Sequence, residues 1–277
     1  MQLSHQEDCN DIIDKRLYFS LYHKILIAII GLVLLVDGSE ALSLSLMLPC
    51  IVEEFKLDST EKKVISTMYY VGIMIGAVTG GIIADINGRK KIFTYTCLMT
   101  ALLGFSAYLI HHYITFLFIR FFFGFLIGVV SPLSVSIITE SFPTDLSGRI
   151  FILCRIGLMV GELFSACLGV VFIEKDLKHG NWRALLIIPA FPALIGFALS
   201  YKYLIEPPRY YLAKKDIHQA ELCLRNISQI NTAIYNTFDS SERNTILDFI
   251  TDITVTVKLP LKNSKRYLKK NLEEQRY

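Results

Sequence analysis

Six apolar stretches, near residues 24–49, 64–84, 92–111, 114–139, 150–173 and 184–205, decide most of what this chain can become. Each is long enough to cross a bilayer, which takes roughly 17–25 mainly apolar residues. All are too long, and too rich in glycine, to be single buried strands. Only 19% of the 277 residues are charged, where an ordinary soluble domain carries about a quarter. The expectation is an all-α membrane protein with six transmembrane helices.

The N-terminal "MQLSHQEDCNDIIDKR" is polar and lacks the short apolar core and small-residue site of a cleavable signal, so span 1 itself would act as the targeting signal. The six cysteines are scattered without CxxC spacing, which argues against a zinc site or a disulfide framework. A net charge of +3 is too small to suggest nucleic acid. No nucleotide loop, HExxH or GxSxG element is present, and no enzyme, cofactor or metal site is expected. His111 and His112 fall between spans 3 and 4 and read as interfacial residues.

Lys and Arg concentrate in the N-terminal tail, the short 2–3 loop (Arg89, Lys90, Lys91) and the segment from Lys202 onward. By the positive-inside rule both termini are expected in the cytoplasm. The "NIS" sequon at Asn226 would then stay unmodified. The domain reading is a cytoplasmic tail over 1–23, a six-helix bundle over 24–206 and a cytoplasmic region over 207–277. The basic run Lys258–Lys270 suits contact with anionic lipid.

Gly72, Gly76 and Gly80 on span 2, and Gly124 and Gly128 on span 4, recur every four residues. Small residues at that spacing let helix backbones approach closely. Pro189 and Pro192 are expected to bend span 6.

Five charged residues sit where they are expensive. Span 1 carries Asp37 and Glu40, three apart and on one face; span 4 carries Arg120; span 5 carries Arg155 and Glu162, seven apart on one face. A charge near the bilayer centre costs roughly 2.5–3.5 kcal/mol on insertion scales, so such groups usually face a cavity or a partner. The simplest arrangement turns all of them inward around a wet cleft. Asp37 and Glu40 either take up a proton or cation, or pair structurally with Arg120 or Arg155. Arg155 and Glu162 either grip a charged solute, or Arg155 snorkels to the inner surface.

"GGIIADINGRKK" (Gly80–Lys91) resembles the loop 2–3 signature of major facilitator superfamily transporters, filled here by Gly81, Asp85, Gly88, Arg89, Lys90 and Lys91. "RFFFGFLIG" is similar to the family's helix 4 pattern. "ESFPTDLSGR" resembles its loop 4–5 pattern, with Glu140, Pro143 and Gly148 in place and Ser147 where Arg is usual. "EPPRYYL" resembles the block closing helix 6, supplying Glu206, Pro208, Arg209 and Leu212. Asp37, Glu40 and Pro49, with "GNWRALL", look like the synaptic-vesicle-related and organic-ion or metabolite branch. Sugar porters place two glutamines where Arg155 and Glu162 stand, which points to a charged or zwitterionic solute here.

The resemblance covers residues 24 to about 230, one half of a twelve-helix fold. It implies a truncated N-terminal half of a proton-coupled, alternating-access symporter, whose second six-helix half comes from the same gene or a second copy. Gly81, Asp85, Gly88, Arg89, Lys90, Glu140, Arg149, Glu206 and Arg209 would form a cytoplasmic latch, with Asp85 accepting from Arg89 and from a nearby helix N-terminus. Plain obedience to positive-inside is the other explanation of the cations. A sugar porter-like facilitator is an alternative within the class. Outside it, the alternative is a non-transporting membrane remnant or assembly partner.

Overall fold

The structure, a computed structural model, describes residues 21–142, 144–173 and 180–214, together with 216, 218–220, 222–223 and 226–227. Residues 1–20 of the expected tail, Pro143, residues 174–179 and the basic run beyond 257 lie outside the described residues. Helix α1 runs Leu21–Phe55, α2 Ser59–Asn87, α3 Arg89–Phe105, α4 Tyr113–Ser141, α5 Thr144–Phe172 and α6 Ala184–Tyr203, followed by the short α7, Pro208–Ala213. A 3₁₀ turn over Ser106–Leu109 continues α3. Six of these helices are long and apolar enough to cross a membrane. Among the described residues the one extended pairing is an isolated bridge between Ile173 and Gly180.

The helix breaks follow local chemistry. Lys56 takes a left-handed backbone (φ 51°) at the end of α1, and the Asp58 amide then donates to Glu61 at 3.0 Å to start α2. Gly88 separates α2 from α3 with φ 100°, a conformation in which a side chain is strained. Helix α6 runs without a break through Pro189 and Pro192.

The helices pair in a fixed pattern: α1 with α5, α2 with α4, and α3 with α6, with α1 also touching α6 and α3 touching α4. Exchanging α1, α2 and α3 for α4, α5 and α6 leaves that pattern unchanged, as an internal three-helix repeat requires. Glycine makes the two tightest pairings possible. A Cβ at Gly72 or Gly76 would lie 2.3 or 2.0 Å from an α4 carbonyl oxygen, and one at Gly124 or Gly128 would lie 2.0 or 2.2 Å from an α2 carbonyl. The α1–α5 seam repeats the device, with Gly38 against Leu158, Gly157 against Gly31 and Gly161 against Leu35. In lipid, where apolar burial drives little between helices, such close backbone contact carries the association.

The interior divides in two along the bundle. One core gathers Leu26, Ile30, Phe93, Ile137 and Leu204 near the Gly88 end, and the other gathers Met47, Ile51, Phe116, Trp182 and Leu185 near the opposite end. Among the described residues, Val36, Ala101 and Ala193, with Phe105 against them, form a third, small cluster. Beyond α6 the chain turns back, since Ala220, Cys223 and Ile227 are buried and the latter two join the core at the Gly88 end.

Because a Gly161 Cβ would sit 1.9 Å from the Leu35 carbonyl oxygen, Gly161→Ala should destabilise the bundle by about 1–3 kcal/mol. Gly31→Ala, with nothing within 4 Å of its Cβ, should be neutral or slightly stabilising. Unfolding midpoints in detergent compare the two, and equal effects would contradict the glycine seam.

Candidate functional site

Glu40 projects from the middle of α1 and Arg120 from α4, and the two meet inside the bundle. Arg120 Nη1 donates to Glu40 Oε2 at 3.1 Å, with side chains 0% and 1% exposed. Its Nη2 lies 2.8 Å from the Met47 sulfur, a weak acceptor, and its guanidinium lies over the rings of Phe116 and Phe123 at 5.2 and 5.7 Å. Nε has no partner. Two desolvated charges therefore lean on one another, helped by two aromatic faces. Of the two pairings open in the sequence, this one holds for Glu40.

Asp37 is different. It is half-buried, makes no hydrogen bond or ion pair among the described residues, and lines a cavity between α1, α3, α4 and α6. Arg155 acts on it through charge without touching it. Arg155 and Glu162 are exposed on α5, the former over the Phe151 ring at 5.9 Å. The five candidates thus do not gather into one inward cluster, as was expected. The reason is geometric: α5 packs mainly on α1 and spends its buried face on Gly157, Gly161, Ser165 and Leu168, which leaves the stripe of 155 and 162 open.

A second charged layer closes the Gly88 end. Arg89 pairs with Asp85 at 3.3 Å and with Glu140. The Glu206 carboxylate accepts from the backbone amides of Arg89 and, at 3.1 Å, of Lys90. It thereby caps the N-terminus of α3, where the helix dipole favours an anion. Burial holds its carboxyl above the usual range, and those two amides oppose the shift. A Cβ on Gly88 would come 3.0 Å from Glu206 Oε2, so glycine serves both the turn and the cap. Arg209 Nη1 donates to the Thr139 carbonyl at 3.2 Å, and Lys214 Nζ donates to that of Ile86 at 3.1 Å. The Tyr210 hydroxyl lies 3.3 Å from the carbonyls of both Asp85 and Ile86. One short segment therefore caps an N-terminus with an acid and two C-termini with cations or a hydroxyl.

Two expectations need correction here, those for Asp85 and Arg149. The helix N-terminus expected for Asp85 is occupied by Glu206, because Asp85 points outward with 70% of its side chain exposed. Gly81 is exposed and a Cβ there would meet nothing within 4 Å, so packing inside this bundle does not require it. Arg149 is exposed on the first turns of α5 and does not enter the layer around Arg89.

Sequence reasoning missed Tyr210 and Lys214, and it missed a clamp at the opposite end. There Glu54 of α1 accepts from the Trp182 indole and from Arg183, with Arg183 Nη2 at 2.7 Å from Oε1. The same Nη2 donates to the Ile110 carbonyl at 2.8 Å, and the guanidinium stacks 4.3 Å from the Trp182 ring. "NWR" was read only through its resemblance; an acid placed at the end of span 1 was the available signal.

Removing either Arg120 or Glu40 alone, as Arg120→Ala or Glu40→Ala, should cost about 3–5 kcal/mol, since it strands a buried charge. The double change Glu40→Leu with Arg120→Met should cost much less. Denaturant unfolding in micelles decides it, and a double variant as unstable as the sum of the singles would contradict a coupled pair.

Three comparisons bear on this geometry. The model of the Major Facilitator Superfamily matches residues 29–267. The putative transporter svop-1 of Caenorhabditis elegans is 28% identical over 201 residues, covering 73% of this chain and 38% of its own length. Human synaptic vesicle glycoprotein 2B is 26% identical over 216 residues, covering 75% of this chain and 32% of its own. The chain spans about a third of the length of these curated relatives. Among solved structures, the proton:xylose symporter XylE bound to 6-bromo-6-deoxy-D-glucose superposes with a TM-score of 0.66 at 19% identity, over 87% of this chain and 54% of that one. The partially occluded inward-open form of XylE from E. coli gives 0.67 at 20% identity, over 78% and 57%. At that identity the likeness is one of fold, and the fold matched is one half of a major facilitator.

Proposed function

Because this chain belongs to the major facilitator superfamily, we propose that its bundle is one half of an alternating-access carrier that moves a small charged organic solute with proton coupling. The observation that carries the reading is the Glu40–Arg120 pair, an acid and its counter-ion sealed at mid-span and joining two different helices. Protonating Glu40 frees Arg120 from its partner, and losing the proton restores the pair. A switch between two such arrangements is what coupling a bundle movement to a proton requires.

Residues 24–206 form the transport half, with both termini and the Gly88 end on the cytoplasmic side, where the cations concentrate. A second six-helix half, from the same polypeptide or a copy, covers the open stripe of Arg155 and Glu162 and meets the solute across a wet cleft. Asp85, exposed and carrying a carboxylate beyond what Arg89 needs, faces that second half. The layer of Arg89, Glu140, Glu206 and Arg209 then latches the inner side while the cleft opens outward. The name of XylE attaches xylose to that protein; the charges at Arg155 and Glu162 favour an ionic solute for this one.

In proteoliposomes containing the full-length protein, uptake should rise with an inward proton gradient and fall with a protonophore, and Glu40→Gln should remove the stimulation. Uptake indifferent to the protonophore would contradict proton coupling.

A further inference from the structure

Freeing Arg120 from Glu40 leaves a buried guanidinium in need of an acceptor. Its Nη1 donates to Glu40, its Nη2 lies on the Met47 sulfur, a weak acceptor, and its Nε has no partner. Phe116 and Phe123 offer only ring faces. Tyr69 of α2 brings a hydroxyl to this surrounding. It is 2% exposed and belongs to the same core as Met47, Phe116 and Phe123. Its ring stands edge-on to Tyr70, with centroids 5.4 Å apart, and its hydroxyl makes no hydrogen bond among the described residues. A tyrosine buried this far ordinarily finds a partner for its hydroxyl, so this one calls for an explanation.

Helix geometry carries that side chain toward the ion pair. Helices α2 and α4 run parallel, with Gly72 packed on Phe121, Gly76 on Phe125 and Gly80 on Val129, while the Tyr69 carbonyl packs on Gly124. Arg120 lies one turn before Gly124. Side chains lean toward the N-terminus of their helix, so the Tyr69 ring is carried from the Gly124 contact toward the level of Arg120. Glu40, Asp37 and Arg120 all act on the phenol through charge. Among the described residues, the ionised side chains that act on Glu40 are Arg120 of α4 and Asp37 of α1. Helix α5 turns Gly161 and Ser165 inward and keeps Arg155 and Glu162 exposed, and α6 buries Pro189, Ala190, Ala193 and Gly196, none of them titratable. The Cys97 thiol of α3 lies beside Asp37. We propose that Tyr69 is a positioning residue for the coupling acid: when Glu40 takes a proton and releases Arg120, the phenol oxygen accepts the freed guanidinium. This rests on the reading of Glu40 as the coupling acid, and names the group that holds its counter-ion in the second arrangement. The proton on Glu40 comes from water and returns to it, and the phenol keeps its own throughout. A hydroxyl that bonds only in the protonated arrangement favours that arrangement, so removing it makes Glu40 harder to protonate.

Infrared titration of the full-length protein in nanodiscs reads Glu40 directly, as the protonated-carboxyl band that Glu40→Gln removes. Tyr69→Phe keeps the ring and its contact with Tyr70. It should move the midpoint of that band to lower pH, by about threefold or more in proton concentration. The pH midpoint of proton-driven uptake in proteoliposomes should move the same way. Tyr70→Phe, which removes the hydroxyl of the exposed neighbouring ring, should leave both midpoints in place. A band midpoint that stays put or rises in Tyr69→Phe, an equal move in Tyr70→Phe, or a Glu40 band that never titrates would overturn the proposal. Proton-driven uptake with a band unmoved by Tyr69→Phe removes the role of Tyr69 and leaves the coupling reading standing. A band that moves as stated, in a protein whose uptake ignores a protonophore, removes the coupling reading and leaves Tyr69 as the acceptor of Arg120.

Discussion

An ionised side chain has no tolerable place on the lipid face of a spanning helix, and that constraint organises this molecule more than any single contact. Five charged residues lie well inside the apolar spans, at the level where each would cost several kcal/mol if it faced acyl chains. The bundle answers in two ways. Glu40 and Arg120 are drawn fully inside and set against each other, with the rings of Phe116 and Phe123 around the guanidinium. Asp37, Arg155 and Glu162 are left at the pocket mouth or on one open stripe of α5. A bundle that ends its polar accounting with an open stripe has one face built for something other than lipid.

Close helix approach is what lets the interior pair exist. Glu40 reaches Arg120 because α1 and α4 are held in place by their own glycine-lined partners, α5 and α2. The symmetry of the pairing places the two charged helices in equivalent positions of the two three-helix units. At both ends the bundle is then tied by carboxylates: Glu206 caps α3 at one end, and Glu54 grips Trp182 and Arg183 at the other. The helices between are thereby joined into one body, which suits a movement of the bundle as a whole.

Much of this was legible in the sequence, and the limits are physical. Span positions, the Gly88 turn and the glycine stripes follow from local hydropathy and from spacing every four residues, so residue order alone reveals them. The i, i+3 spacing of Asp37 and Glu40 places them on one face, yet one is sealed and the other stands at a mouth. Their difference depends on where α4 lies, which no local pattern encodes. The same holds for Arg155 and Glu162, whose exposure follows from α5 resting chiefly on α1. Glu206 capping a helix more than a hundred residues earlier, and Glu54 gripping Trp182 and Arg183, are products of topology. The loop signature drew attention to Arg89, which pairs with Asp85 and Glu140, but it credited Asp85 with a helix terminus that Glu206 holds.

The central claim is that the open stripe of α5 borders water. Single cysteines placed at Arg155 and Glu162, in a background with the native cysteines replaced, can be exposed in intact membranes to a charged, water-soluble thiol reagent. The account predicts that both react, and that a bulky solute filling the cleft protects them. Failure of both positions to react, in protein that is folded and inserted, would place those residues in lipid or sealed protein and contradict the cleft.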